Sequence, residues 1–159
     1  MLSELFWVIV LTLTPTLELR ASIPYAMLSA HWSPWVAAVV GILANTALAP
    51  LLWLVVGRAM ALVSRIPRVG PWFDAYAERK RAGLHRLVER YGVLGLAVFI
   101  GVPLPGTGVY SGCVAAYLLG FRFRDYLLAS FLGCLLAGVA VTAVVGSGSH
   151  AFDLFIKEL

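Results

Sequence analysis

Glu18-Leu19-Arg20-Ala21-Ser22-Ile23-Pro24 places two opposite charges and a proline inside an otherwise apolar N-terminal run. Charge in hydrocarbon is costly and persists where it has a function. A counterpart lies in the second half, where Pro103-Leu104-Pro105-Gly106-Thr107-Gly108 interrupts another apolar run without carrying charge. The two breaks are expected to face each other, and that pairing decides how the rest of the chain is laid out.

With 61% hydrophobic and 13% charged side chains and a mean hydropathy of +0.91, the chain has too little polar surface to coat a soluble globule. It reads as one integral membrane domain spanning residues 1–159. The net charge of +4 is concentrated in the middle of the chain, which points to the cytoplasmic face of a cell membrane and its anionic headgroups, not to nucleic acid. Cys113 and Cys134 sit among small apolar residues and are expected to be buried hydrophobes. His31, His85 and His150 are scattered without ligand spacing. No nucleophile has a base partner and no phosphate loop or zinc signature is present, so the sequence supports no enzyme, metal or cofactor. Met1 to Glu4 lacks a basic region, and the first apolar run is expected to be retained, not cleaved as a leader.

Leu5–Leu17 is too short to cross a ~30 Å hydrocarbon core at ~1.5 Å per residue. Pro15 and Pro24 bracket the charged break, and a helix is not expected to pass Pro24, because proline removes a hydrogen bond and strains the residue before it. His31-Trp32-Ser33-Pro34 reads as an interfacial turn before a full span, Trp35–Gly57, anchored by Arg58. From Arg58 to Arg90 charge dominates, and Trp72, Phe73, Tyr76, Leu84, Leu87, Val88 and Tyr91 recur at helical spacing, the pattern of an amphipathic helix lying on a membrane. Gly92–Gly101 and Val109–Gly120 flank the second break. Phe121–Asp125 forms a charged aromatic turn, and Tyr126–Gly146 is a second span rich in small residues.

Broken run, turn and span thus occur twice. The fold class expected is an all-α integral membrane protein of two inverted repeats, each a re-entrant broken-helix hairpin followed by a transmembrane helix. The first repeat covers 1–64, a basic amphipathic linker helix 65–91, the inverted second repeat 92–149 and a tail 150–159. Charge favours this threading: it places every basic residue except Arg20 and Lys157 on one, cytoplasmic, face, as short cytoplasmic loops prefer. Full crossings would put Arg122 and Arg124 on the other side.

Broken helix ends meeting in mid-membrane create a polar spot of the kind by which transporters hold ions and anionic groups. The candidate substrate or proton site comprises Glu18, Arg20, Ser22, Pro24 and Asn45 with Pro103, Pro105, Gly106, Thr107 and Gly108. A carboxylate balanced between burial and a nearby guanidinium can bind and release protons. Exposed amides and the Thr107 hydroxyl can donate to an anion. Two readings stand side by side here: Glu18 and Arg20 cap and pin a folded loop, or they handle a ligand. Asn45 likewise faces a cavity or makes a helix-to-helix hydrogen bond. Arg79, Lys80, Arg81, Arg86 and Arg90 are the candidate membrane-surface contacts.

The paired motifs Glu18–Pro24 and Pro103–Gly108, in a chain this small, resemble the small multidrug export protein family over roughly Leu5 to Gly148. More distantly the chain is similar to the DedA and VTT superfamily, whose members carry two opposed re-entrant hairpins and move lipids such as polyprenyl phosphates. Gly120–Leu128 resembles the turn after that superfamily's second hairpin. Where DedA proteins place an arginine in and after the second break, this chain has Thr107 and Gly108, which leaves Arg20 as the charge-matched candidate. Glu18 as proton carrier with Arg20 as partner or anion contact points to a proton-coupled transporter, and the resemblance implies lipid-like or amphipathic substrates, anionic ones such as polyprenyl phosphates or drugs among them. The alternative is a non-transporting scaffold that gathers anionic lipids or partner proteins through its basic helix. Membrane lipids and an amphipathic small molecule are the expected partners, and so few full spans imply a homodimer.

Overall fold

The computed structural model describes residues 2–15, 17–66, 75, 91–102 and 107–148. Among them the regular structure is entirely helical: α1 (Leu2–Leu13), α2 (Glu18–Leu28), α3 (Pro34–Ser64), α4 (Tyr91–Gly101), α5 (Val109–Leu119) and α6 (Phe123–Gly146). The order short, short, long occurs twice. The tail, and nearly all of the amphipathic linker expected over 65–91, including Arg79, Lys80, Arg81, Arg86 and Arg90, lie outside the described residues, as do Pro103, Pro105 and Gly106. At 31 and 24 residues, α3 and α6 are about 46 and 36 Å long. Both are long and apolar enough to cross a membrane.

Local chemistry explains most helix ends. Proline at the first position of α3 follows an extended Ser33 and a left-handed His31 (φ 55°), which suits a missing N–H. Gly120 closes α5 in the left-handed conformation (φ 76°). Arg122 then caps α6, its N–H donating to Asp125 Oδ2 at 3.4 Å.

The expected boundaries differ from the observed ones in three places. The first break lies at residues 14–17, not at Pro24. Thr14 precedes Pro15 and is biased out of the helical region, so α1 stops at Leu13, and α2 starts at Glu18 and continues through Pro24. Proline there removes only the bond to the Arg20 carbonyl. Packing of Leu19 and Ile23 against Gly41 of α3 holds the helix across the gap. Second, α3 does not end at Gly57 but runs to Ser64. Arg58 is exposed on its surface, where a long side chain can reach polar surroundings without ending the helix. Third, the turn over Phe121–Asp125 is shorter than expected, because α6 already begins at Phe123.

Small residues are concentrated on the inner faces of the long helices, although Ile42, Leu48, Leu52 and Tyr126 are buried there too. On α6 the buried positions are Tyr126, Ala129, Ser130, Gly133, Cys134, Ala137 and Gly138, while Leu128, Phe131, Leu135 and Val139 are exposed. On α3, Ala37, Ala38, Gly41 and Asn45 face inward, while Trp35, Val39, Leu43 and Leu54 face out. An inner face rich in small residues, with many large apolar groups turned outward, departs from the pattern of a soluble globule and matches helix association in lipid, where close approach replaces the hydrophobic effect.

Contacts along the two long helices give their relative direction. Ile42 meets Gly138, and Trp53 stacks on Tyr126 at 5.4 Å between ring centroids, so α3 and α6 run antiparallel. Met27 at the end of α2 lies beside Gly146 at the end of α6, and Tyr117 near the end of α5 meets Trp53. The α1–α2 and α4–α5 pairs therefore lie at opposite ends of the α3–α6 pair, and the starts of α2 and α5 approach each other beside Asn45, about 17 Å along α3.

Ile100 of α4 is wedged between Gly112 and Gly133. A Cβ on Gly133 would fall 2.7 Å from Ile100 and 2.8 Å from the Ala97 carbonyl, a backbone atom that cannot step aside. Gly133→Ala should therefore lower stability by about 1–3 kcal/mol, the usual penalty of overpacking, despite alanine's better helix propensity. A fall in melting temperature of the detergent-solubilised protein checks this; an unchanged or higher one would show that α4 and α6 are not so closely apposed.

Candidate functional site

The first turn of α2 carries Glu18 and Arg20 to the two ends of the second break. Glu18 is 4% exposed and has a left-handed backbone (φ 48°), a conformation that a non-glycine residue adopts only under surrounding constraint. Its Oε1 accepts from the Tyr110 N–H at 3.4 Å, in the first turn of α5. Its Oε2 accepts from Asn45 Nδ2, also at 3.4 Å. The carboxylate thus stands where α5 leaves amides without intrahelical partners and where its dipole favours negative charge.

Gly108 makes that approach possible. It precedes α5 at φ 143°, ψ −169°, a region essentially restricted to glycine, and a Cβ there would collide with both Glu18 carboxylate oxygens. Arg20 serves the other end of the break. Its guanidinium donates to the carbonyls of Ile100 (3.3 Å) and Val102 (2.8 Å) at the end of α4. It also donates to the Thr107 carbonyl (2.6 Å) and hydroxyl (2.9 Å). The Thr107 hydroxyl in turn donates to the Val102 carbonyl at 2.7 Å. One cation therefore ties together the two stems of the 103–106 connection, and it matches the negative end of α4.

Tyr110 returns the favour to the first break: its phenol donates to the Leu13 carbonyl at 2.5 Å, at the end of α1. Tyr126, wholly buried, donates to the Val109 carbonyl at 3.1 Å and stacks on Trp53. Cys134 of α6 lies within electrostatic range of Glu18 and Arg20 and beside Thr46. Around this cluster Ser22 Oγ and Asn45 Oδ1 are buried without a hydrogen-bond partner among the described residues.

Of the residues singled out from sequence, Glu18, Arg20, Asn45, Thr107 and Gly108 are brought together. Ser22 is buried one turn after Glu18, and Pro24 is half-buried further along α2. Tyr110 and Tyr126 were not singled out. Their signal was available: a tyrosine in an apolar run needs a partner for its hydroxyl. Among the described residues no group of three or more His, Cys, Asp or Glu side chains could hold a metal ion.

The arrangement defines a class: described residues that are all helical, two helices able to span a membrane, and a buried Glu18 with a partly buried Arg20 set between broken helices. Residues 18–140 match the model of the family described as "Putative small multi-drug export protein", and the chain belongs to that family. No curated protein and no solved structure matched it. The family and the two long apolar helices point to a membrane protein with a transport function.

Gly108→Ala should destabilise the protein by about 2–3 kcal/mol, since it combines a strained backbone with a clash. In a Glu18→Ala background the same change should cost less, because the clash is gone. Unfolding of the four proteins in detergent measures the difference; equal penalties in both backgrounds would show that Glu18 does not occupy the space above Gly108.

Proposed function

We propose that this protein is a proton-coupled membrane transporter of lipid-like or amphipathic substrates, with Glu18 as the proton carrier and Arg20 as its fixed partner. The observation that carries the proposal is a carboxylate held against the start of α5 deep among apolar helices. A purely structural cap could be neutral, whereas an ionisable one lets proton uptake loosen the contact between the two breaks. In this reading α1–α2 and α4–α5 are re-entrant hairpins entering from opposite membrane faces, and the two halves are inverted repeats. The antiparallel α3 and α6, and the approach of the starts of α2 and α5 beside Asn45, support that threading. The basic segment between α3 and α4 then lies on the cytoplasmic side. A homodimer supplies the remaining wall of a path that so few helices cannot enclose.

Proteoliposomes loaded with a pH-sensitive dye test the coupling. Ethidium or dodecyl phosphate, added outside vesicles containing the wild-type protein, should produce a proton flux; Glu18→Gln should abolish it while the protein elutes and melts normally. An unchanged flux in the variant would sink the proton role.

Threading is tested by single cysteines at positions 31 and 122, in a background lacking Cys113 and Cys134. Membrane-impermeant reagents should reach position 31 from the outer side and position 122 from the cytoplasmic side. Labelling of both from one side would refute the inverted arrangement.

A further inference from the structure

At the end of α1 away from the Glu18 cluster, the starts of α1 and α3 and the turn between α2 and α3 enclose a cavity of about 470 Å³. That volume lies within the range of ligand pockets. Leu5, Val36 and Val40 give the cavity apolar walls, and Glu4 is the one ionisable side chain among the described residues that line it. Trp32 and Ser33 complete the lining. Their backbone is held in place, since the Trp32 N–H donates to the Ala26 carbonyl at 2.8 Å across the left-handed His31. Their side chains are uncommitted. The Ser33 hydroxyl does not cap α3, and neither it nor the Trp32 indole N–H has a hydrogen-bond partner among the described residues.

The lining therefore offers an anion, two hydrogen-bond donors and an apolar hollow. A simple cationic amphiphile matches the carboxylate and the hollow but leaves both donors idle. A phospholipid with a primary ammonium head matches all of them. Its ammonium pairs with Glu4, its phosphate accepts from Ser33 and Trp32, and one hydrocarbon chain lies against Leu5, Val36 and Val40. We propose that this cavity is a binding site for phosphatidylethanolamine, a lipid that the protein holds and does not move. The site stands apart from the transport reading and needs only the chain's place in a membrane. Head-group chemistry makes it selective. The quaternary ammonium of phosphatidylcholine has no N–H to donate, and phosphatidylglycerol has a net negative charge, which Glu4 repels.

Native mass spectrometry of the full chain in detergent tests this, with the dioleoyl forms of the three lipids supplied in equal amounts. Phosphatidylethanolamine should be retained over each of the others by about two- to fivefold, the ratio that one partly exposed ion pair supplies. Glu4→Gln removes the charge, and Val36→Trp fills the hollow from an exposed position on α3. Each variant should melt as the wild type does and retain phosphatidylethanolamine no better than phosphatidylcholine. Dodecylammonium, which has the cation and a chain but no phosphate, should bind more weakly than phosphatidylethanolamine. Equal retention of the three lipids, strongest retention of phosphatidylglycerol, or no retained lipid would each overturn the proposal. So would a preference for phosphatidylethanolamine that survives either substitution, or dodecylammonium binding as tightly as the lipid. None of these results bears on the proton flux expected in proteoliposomes, so the lipid site and the transporter reading stand or fall separately.

Discussion

A helix interrupted in surroundings without water leaves amides at one end and carbonyls at the other, and something in the protein must meet them. In this chain the second break is met by two side chains from one turn of another helix. Glu18 lies at the start of α5 and Arg20 at the end of α4, each opposite the end of the helix dipole that it complements. The two residues are therefore less a pair for each other than a matched set for a gap. This explains why both charges are retained in so apolar a chain. It also explains why they are two residues apart: the gap they serve has two sides.

The remaining architecture follows from holding that contact in place. Small residues on α3 and α6 let α2 and α4 come close, as Ile23 does at Gly41 and Ile100 does at Gly133. Tyr110 links the same turn of α5 back to the end of α1, so the two breaks support each other from both directions. Many large apolar side chains, such as Leu128, Phe131 and Val139 on α6, are left on the outside.

Much of this was legible in the sequence because charge, proline and glycine stand out in an apolar background. Glu18 and Arg20 could be singled out on cost alone, and Thr107 and Gly108 by their break in a second run. The errors came from weighing local rules without their neighbours. Pro24 interrupts one hydrogen bond, but Leu19 and Ile23 on either side of Arg20 are packed, and α2 continues. Arg58 looked like the end of a span because an exposed arginine on a longer helix has the same local sequence. Tyr110 and Tyr126 escaped notice since an aromatic ring in an apolar run reads as filler until the partner of its hydroxyl is known. The inward face of α6 was only partly visible: hydropathy is high all round, and only the alternation of side-chain size distinguishes the faces.

The one-sided placement of charge has a genealogical consequence. Two copies of the first half could not assemble in this way, because two charged turns would confront each other and no Tyr110 would meet the end of α1. Two copies of the second half would leave both gaps unmatched. The halves are complementary instead of interchangeable, so neither can be replaced by a duplicate of the other. A mutation that moved either charge to the opposite half would have to be accompanied by the loss of its original. Whatever symmetry the helix order displays, the chain is committed at its centre to one orientation of lock and key, with the key always on the side that comes first.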